Sequence, residues 1–226
     1  DGLRGTVTVR PASTEWSFAP ESRLVASAST EVDFVGTRVG HISVPSEFPT
    51  IQAAIERVGN GAIITVSPGL YRENLDFKGK SITVRSTHPA DPAVVAATVI
   101  DGGSSGPVVT FRNNETSASI IEGFTITNGW GSSSNGHGGG IAICNASPTI
   151  RYNVITGNRS ASSGGGIYSY GGSPSIVQNT ITENGAQSYG GGIHAQLSTL
   201  SLIGNTITSN EVTAYALGYG GGVSAR

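Results

Sequence analysis

The chain of 226 residues contains no methionine and a single cysteine, and only 12% of its residues are charged. Because Cys144 is alone, an internal disulfide bond is excluded. No apolar run reaches the ~18 residues of a membrane-spanning helix, so we predict no membrane insertion. The net charge is -2 and basic residues do not cluster, which argues against nucleic acid and anionic membranes as partners.

The first residue of the chain is Asp1 and not a methionine. We therefore expect that the initiator and any leader were removed and that the protein is exported, either secreted or held at the cell surface. A chain shortened at its N-terminus would look the same. Three sequons, at Asn114, Asn145 and Asn158, are candidate glycosylation sites for an exported protein.

Glycine, in contrast, is abundant, with 33 residues. A triple glycine followed by Ile or Val recurs at spacings of 26, 26 and 30 residues, in Gly138–Ile141, Gly164–Ile167, Gly190–Ile193 and Gly220–Val223. Isoleucine and asparagine columns keep the same step, among them Ile150/Ile176/Leu202, Ile155/Ile181/Ile207, Asn153/Asn179/Asn205 and Asn158/Asn184/Asn210. A fixed period in the twenties indicates a solenoid, in which each repeat stacks on the next.

The short pattern within each repeat predicts the kind of solenoid. Segments of three or four residues, rich in β-branched side chains, lie between Gly, Ser, Asn and Pro, which is typical of short strands and turns. Three such strands in each coil predict an all-β fold, a single-stranded parallel β-helix, and no stretch after Gly59 is long or periodic enough for a helix. We expect about six or seven coils, with one interior row formed by the residues after the triplets: Ile141, Ile167, Ile193 and Val223.

The glycine triplets and the asparagine columns have a structural interpretation. A sharp corner between strands requires a positive φ or a close approach of two backbones, and both favour glycine. The asparagine side chains are suited to hydrogen-bond from coil to coil. A phosphate-binding glycine loop would lead into a helix, and a calcium-binding glycine repeat would contain aspartates. Neither pattern is present, so the triplets predict no cofactor and no metal.

The N-terminal part of the chain differs from the rest. Residues 1–44 alternate like strands in places but lack the repeat, and we treat them as an extra strand segment ahead of a β-helix at 45–226. A capping helix is predicted at about 50–58, with Thr50 as N-cap and Gly59 as the C′ residue. Its apolar residues lie on one face, which is expected to cover the first coil: Ile51, Ala54, Ile55 and Val58.

Three segments carry a resemblance to a known group of proteins. Phe48–Ile55, Val66–Asn74 and Lys80–Val84 resemble the opening of the pectin-lyase-like right-handed parallel β-helix superfamily, which pectinesterases and bacterial β-helix repeat surface proteins share. The resemblance extends over residues 45–226 and implies a right-handed β-helix. Within these segments, Tyr71, Arg72 and Glu73 are expected to fix a turn by hydrogen bonds. The shared segments are structural, so they do not by themselves imply an activity.

Enzymes of that superfamily need clustered carboxylates. Pectinesterase-like chemistry uses two aspartates and a glutamine, and hydrolysis uses a general acid and a base. Pectate-lyase-like elimination uses a calcium cluster together with a basic residue. In the regular coils of this chain the carboxylates are isolated, at Glu122, Glu183 and Glu211. We therefore predict no catalytic residues.

An aromatic and histidine stripe flanks the glycine triplets. Three members lie directly before a triplet, and two follow the isoleucine after one: His137, Tyr189 and Tyr219, then Tyr168 and His194. Two interpretations stay open, a surface for a polysaccharide ligand or another subunit, and ordinary surface residues with stacked apolar bodies. The strand alternation also places Cys144 on an outward row, with Tyr170 and Gln196.

The last residues begin a new coil without a charged, proline-containing or helical cap. Either the chain is a fragment of a longer β-helix, or another copy covers the open coil and a head-to-tail homopolymer results. For the second case, the candidate subunit-contact residues are Trp16, Phe18, Phe34, Gly220, Gly221, Gly222 and Val223. Our hypothesis is a non-catalytic, exported structural β-helix that forms a filament or a surface stalk. The alternative is a carbohydrate-active enzyme of the pectate lyase or pectinesterase type, or a fragment of one that lacks the site.

Overall fold

The short apolar segments form short strands, because a corner residue interrupts each segment before it can extend. The computed structural model describes residues 7–9, 16–19, 23–25, 35–38, 40–132, 138–213 and 220–226. From residue 41 onward the strands stack in parallel and in register, forming a β-solenoid of about seven turns, with neighbouring strands about 4.8 Å apart. The prediction of an all-β parallel β-helix is confirmed.

Sheet I has seven strands and contains the first strand of the solenoid. In order along the solenoid they are His41–Val44, Ile63–Val66, Thr83–Ser86, Ile120–Glu122, Thr149–Arg151, Ser175–Val177 and Ser201–Ile203. His41–Val44 pairs in register with Ile63–Val66. The solenoid therefore begins a few residues before the boundary drawn at residue 45.

Sheets II and III have six strands each. Sheet II consists of Gly69–Arg72, Thr98–Asp101, Thr125–Thr127, Val154–Thr156, Thr180–Thr182 and Thr206–Thr208. Sheet III consists of Leu75–Asp76, Val109–Phe111, Ile141–Cys144, Ile167–Tyr170, Ile193–Gln196 and Val223–Ala225.

The regular coils also contain a fourth strand that the sequence did not predict. Sheet IV has four strands of two residues each, Trp130–Gly131, Arg159–Ser160, Gly185–Ala186 and Glu211–Val212. Pairs such as Gly185–Ala186 lack strand-forming side chains, and backbone bonds hold the ladder, as between Arg159 N–H and Gly129 C=O at 2.9 Å. The expectation of three strands in each coil is therefore wrong, because the regular coils have a fourth, short strand.

The hydrophobic core is a set of stacked columns inside the solenoid. The predicted interior row is confirmed, since Ile141, Ile167, Ile193 and Val223 pair in register on sheet III. The three isoleucines are fully buried, whereas Val223, on the last described strand, is 40% exposed. Isoleucine columns on sheets I and II complete the interior, so every coil contributes apolar side chains to one continuous core.

The glycine triplets meet both requirements proposed for them, at different positions. In three of the four triplets the first glycine has a positive φ, +67° at Gly164, +57° at Gly190 and +64° at Gly220. The second and third glycines lie where backbones of adjacent coils approach closely. A Cβ on Gly165 would be 2.5 Å from the Gly191 carbonyl oxygen, and a Cβ on Gly166 would be 2.6 Å from that of Gly192. Any larger residue at these two positions would overlap the next coil.

The asparagine columns form two buried hydrogen-bonded ladders, as predicted. Asn184 is fully buried, and its amide nitrogen Nδ2 donates to the Ile155 carbonyl at 2.8 Å and to Asn210 Oδ1 at 3.0 Å. Its Oδ1 accepts the backbone N–H of Asn158 at 3.1 Å. The column of Asn153, Asn179 and Asn205 repeats this arrangement at the neighbouring corner. The four asparagines that have a ladder partner after them, Asn153, Asn158, Asn179 and Asn184, therefore each link three successive coils.

The predicted capping helix is present as α1 (Ile51–Arg57). Thr50 is its N-cap, and Thr50 Oγ1 accepts the Ala53 N–H at 3.1 Å. The four apolar residues expected on one face are all fully buried. Val58 is the C-cap, so Gly59 occupies the C′ position, but the first glycine with positive φ after the helix is Gly61.

A second helix, α2 (Pro92–Ala97), contradicts the prediction that no helix follows Gly59. Asp91 caps it by accepting the Ala93 N–H at 2.9 Å, and Pro92 occupies its first position. Six residues are too few for a helical apolar period to stand out from a strand pattern. The helix lies beside sheet II, where Thr125 Oγ1 donates to the Val95 carbonyl at 2.9 Å.

The N-terminal segment contributes two antiparallel pairs. Val7–Val9 pairs with Arg23–Val25, and Trp16–Ala19 pairs with Val35–Arg38. Their antiparallel arrangement distinguishes them from the parallel solenoid.

Neither of the two helices in the described part of the chain has the length and apolar character needed to cross a membrane.

Candidate functional site

The carboxylates of the regular coils lie apart, on two different sheets and at a corner. Glu122 projects from sheet I, is only 5% exposed, and pairs with Arg151. Glu211 lies on sheet IV and pairs with Arg159. Glu183 is an exposed corner residue with a φ of +57°. Two of the three carboxylates are thus held in ion pairs, and the third has no acidic neighbour in its column.

The carboxylates of the first coils bond to nearby backbone and side-chain groups. Glu115 is 2% exposed and accepts the backbone N–H groups of Gly79 and Asn113, each at 2.8 Å. Asp101 accepts from the Gly103 N–H at 2.9 Å and from Asn128 Nδ2 at 2.8 Å. Over the described residues, no group of three or more His, Cys, Asp and Glu side chains is placed to hold a metal ion.

The opening segments converge on helix α1 and fasten it to the first coil. Glu73 accepts the backbone N–H groups of Ile51 and Gln52 at 2.9 and 2.8 Å, so it caps the N-terminus of the helix. At the other end Lys80 Nζ donates to the carbonyls of Ile55, Glu56 and Val58 at 2.6–2.9 Å. Burial lowers the pKa of the Lys80 ammonium. Glu73 and Lys80, which belong to the segments that carry the resemblance, therefore hold the fold together.

Of the three residues expected to fix a turn, Tyr71, Arg72 and Glu73, the structure shows a hydrogen bond across the turn for Tyr71. Tyr71 Oη donates to the Ser67 carbonyl at 2.8 Å across the Ser67–Gly69 turn. Glu73 bonds to the helix instead. Burial raises the pKa of the Tyr71 hydroxyl, and the nearby Glu73 charge raises it further.

A groove of about 180 Å³ lies between helix α2 and the corner that joins sheets I and II. One wall is the loop and helix that follow sheet I, with Pro89, Ala90, Pro92 and Val95. Apolar atoms predominate in this wall, since proline, alanine and valine carry no polar side-chain group.

The opposite side of the groove belongs to two successive coils. Tyr152, Val154, Gln178 and Thr180 contribute a ring, an aliphatic side chain, an amide and a hydroxyl. The guanidinium carbon of Arg151 is 6.0 Å from the centroid of the Tyr152 ring, and Glu122 pairs with that guanidinium. None of the described residues that line the groove carries a charge. The groove therefore offers apolar contact with a few neutral hydrogen-bonding groups.

One corner column explains where the groove opens. Its four members all have positive φ: Gly123, Tyr152, Gln178 and Gly204. A Cβ on Gly123 would overlap the Cα of Pro89, so the loop docks where the corner residue is glycine. Tyr152, with a φ of +57°, adopts a left-handed conformation that is rare for a bulky residue. The columns predicted from the sequence repeat do not include this one. Its signal in the sequence is that Tyr152 and Gln178 follow each other at the 26-residue step, with Gly204 one step further on.

A family model describes residues 36–225 as DUF1565, a protein of unknown function. The match covers most of the chain. The chain belongs to the DUF1565 family. No curated protein and no solved structure matches the chain significantly. The DUF1565 region includes the capping helix, the groove and all four sheets of the solenoid.

Within the DUF1565 region, two members of the aromatic and histidine stripe are buried. Tyr168 is 7% exposed and His194 is 2% exposed, so the interpretation of both as ordinary surface residues is wrong. They lie on adjacent strands of sheet III with ring centroids 5.8 Å apart, and Tyr189 stacks on His194 at 5.4 Å. The guanidinium carbon of Arg226 is 4.5 Å from the Tyr189 ring centroid. His137 and Tyr219 lie outside the described residues.

The tyrosine of this cluster has a perturbed acidity. Burial raises the pKa of the Tyr168 hydroxyl, and the neighbouring Cys144 and Tyr170 raise it further. Tyr168 Oη is 3.1 Å from Gln196 Oε1, to which it donates. Cys144, Tyr170 and Gln196 form the outward row expected from the alternation, and Cys144 is exposed.

The candidate subunit-contact residues are spread over both ends of the chain. Trp16 and Phe18 lie on the strand that pairs with Val35–Arg38, and Phe34 lies outside the described residues. Gly220 has a φ of +64° and leads through Gly221 and Gly222 into the last strand of sheet III, which starts at Val223. Their role in subunit contact stays a prediction.

The three sequons differ in exposure. Asn114 and Asn145 are exposed corner residues with φ of +59° and +51°. Asn158 is fully buried, and its amide nitrogen donates to Asn184 Oδ1 at 3.0 Å. A glycan at Asn158 would break the ladder, so that candidate is withdrawn. Glycosylation of Asn114 and Asn145 stays a prediction.

Proposed function

We propose that this DUF1565 protein is a non-catalytic, structural β-solenoid that acts outside the cell and associates end to end with further copies. The observation that carries the proposal is the pairing of the first and last described strands of sheet I. Within the described residues, His41–Val44 and Ser201–Ile203 each have a neighbour on one side only. Open strand edges recruit other strands, and a head-to-tail contact that does not close into a ring gives a filament.

Apolar exposure on the last described coil supports the same proposal. Leu202 and Val223 are each 40% exposed, whereas their register partners one coil earlier, Ile176 and Ile193, are fully buried. A second copy stacked on this coil would bury both side chains as the interior coils do. The N-terminal region of that copy, with Trp16, Phe18 and Phe34, is the proposed cover. Export is proposed from the resemblance to bacterial β-helix surface proteins.

The arrangement of carboxylates favours a structural role over the carbohydrate-active alternative. Glu122, Glu211, Glu115 and Asp101 are each engaged in an ion pair or in hydrogen bonds that hold the fold together. General acid–base chemistry on a glycosidic bond needs two carboxyl groups that face one substrate. The relationship to pectin-lyase-like proteins is accordingly proposed at the level of fold.

Two substitutions on one strand test the association. Leu202→Glu places a charge on the end of the solenoid, and Ile203→Glu places the same charge on the side, where the residue is 57% exposed. We expect sedimentation and electron microscopy to show filaments or oligomers for the unmodified chain and for Ile203→Glu. We expect monomers for Leu202→Glu. A monodisperse monomer from the unmodified chain at high concentration would refute the proposal.

A further inference from the structure

We propose that the groove between helix α2 and the corner column binds a neutral, extended polysaccharide. The proposal concerns the side of the solenoid and is independent of the end-to-end contact. Its starting point is that the described residues of the groove combine apolar surface with neutral hydrogen-bonding groups. Ligand sites in proteins are concave and mostly apolar, with a small number of placed polar groups.

The chemistry of the two coils suits a sugar. Tyr152 is half-buried and offers a ring that a sugar's C–H face can stack on, and aromatic side chains give large contact at low entropic cost. Gln178 offers both a donor and an acceptor, and Thr180 offers a hydroxyl that does either. This set matches the hydroxyl groups and the apolar face of a pyranose ring.

The lack of charge narrows the class of ligand. Arg151, whose guanidinium carbon is 6.0 Å from the centroid of the Tyr152 ring, is paired with the buried Glu122. An anionic sugar, a phosphate or a nucleic acid would gain no ion pair from the lining residues, and its charge would lose hydration against the proline wall. A neutral polysaccharide has no such penalty. The groove therefore selects against uronate polymers.

The direction of the groove indicates an extended ligand. Tyr152 and Gln178 occupy the same corner position in successive coils, so they are separated along the solenoid axis by about 4.8 Å. That separation is about the length of one sugar residue in an extended chain. The column has a glycine on each side of this pair. Gly123 lies against Pro89 at one end of the groove, and Gly204 leaves the other end without a side chain. A polysaccharide lying along the axis would contact one corner residue with each sugar.

Glycine is the natural substitution for the test, because glycines occupy the same column and accept its positive φ. Binding of cellohexaose, mannohexaose, laminarihexaose and hexagalacturonate to the whole chain is measured by calorimetry. We expect at least one neutral hexasaccharide to bind, and hexagalacturonate to bind less tightly. Tyr152→Gly should weaken binding by at least about tenfold, and Gln178→Gly by a smaller factor.

A control separates the groove from aromatic surface in general. Tyr170→Ala removes a partly exposed tyrosine from sheet III and is expected to leave the affinity unchanged. Melting temperatures of the two glycine variants should match that of the unmodified chain, and Gln178→Gly serves alone if Tyr152→Gly unfolds early. Absence of binding to all three neutral hexasaccharides, or equal affinity in the groove variants, would overturn the proposal. Tighter binding of hexagalacturonate would also overturn it.

Discussion

The asparagine ladder offers the sharpest test of what holds the coils together, and Asn184→Ala is the perturbation that probes it. Asn184 is fully buried at a corner. Its side chain donates to the Ile155 carbonyl of the preceding coil and accepts the backbone N–H of Asn158. Alanine keeps the strand geometry but removes both partners. The buried Asn158 N–H then lies without a hydrogen bond and without access to water, and the buried Ile155 carbonyl loses its side-chain donor.

The magnitude follows from those two groups. A buried polar group that loses its partner destabilises a protein by about 1–3 kcal/mol, so we expect Asn184→Ala to lower the free energy of unfolding by about 3 kcal/mol. For a domain of this size, each kcal/mol lowers the melting temperature by roughly 2–4 °C. Thermal unfolding followed by circular dichroism should therefore show a decrease of about 6–12 °C.

Asn210→Ala is the matched control, because Asn210 occupies the same column in the last described coil and is only partly buried. It donates to the Ile181 carbonyl at 2.8 Å and accepts from Asn184, but water can replace bonds there. We expect a loss of about 1 kcal/mol. Equal losses in the two variants, or a decrease below about 2 °C for Asn184→Ala, would show that the ladder does not stabilise the coils as argued.

Three further predictions concern the glycine corners, the capping helix and the tyrosines. Gly165→Ala should destabilise the fold by about 3 kcal/mol in urea unfolding, because its Cβ would press on the Gly191 carbonyl at 2.5 Å. Gly157→Ala would place its Cβ 3.1 Å from the nearest atom, so it should lose only the roughly 1–2 kcal/mol that an alanine pays for the φ of +66° at that position. Lys80→Met should lower stability by about 1–2 kcal/mol in the same assay, since the last carbonyls of α1 lose their donor. Because burial raises the pKa of Tyr168 in the folded state, its contribution to stability is complete below about pH 10 and is lost as the pH rises further. Tyr168→Phe should make the alkaline fall in melting temperature shallower.

The repeat made most of the fold predictable from the sequence. A column that recurs at a fixed step must occupy the same place in every coil, so the register of Ile141, Ile167 and Ile193 followed directly. The features that escaped prediction were those without such a column. Helix α2 occurs once and has six residues, and the strands of sheet IV carry no apolar pattern. Both depend on tertiary contacts that a local pattern does not record.

The candidate site was harder to predict for a related reason. The groove needs a loop from one coil and corner residues from later coils, and the sequence gives no measure of how they meet. The contact of Pro89 with Gly123 decides where the loop meets the corner column, and those two residues lie in different coils. Burial of His194 escaped prediction too, because strand alternation distinguishes inward from outward but not exposed from covered. The bonds from Glu73 to the start of α1 span more than twenty residues.

The physical constraints on a coil also determine where this protein can acquire a function. Interior isoleucines, ladder asparagines and the later triplet glycines each contact the next coil, so a change at any of them disturbs two repeats at once. The corner residue before each ladder asparagine has only to accept a positive φ. It varies between tyrosine, glutamine and glycine in one ladder, and between glycine, glutamate and serine in the other. Variation that the fold tolerates is thereby concentrated in two columns on the outside of the solenoid. A binding surface built there, beside a loop that supplies a second wall, leaves the ladders and the core unchanged.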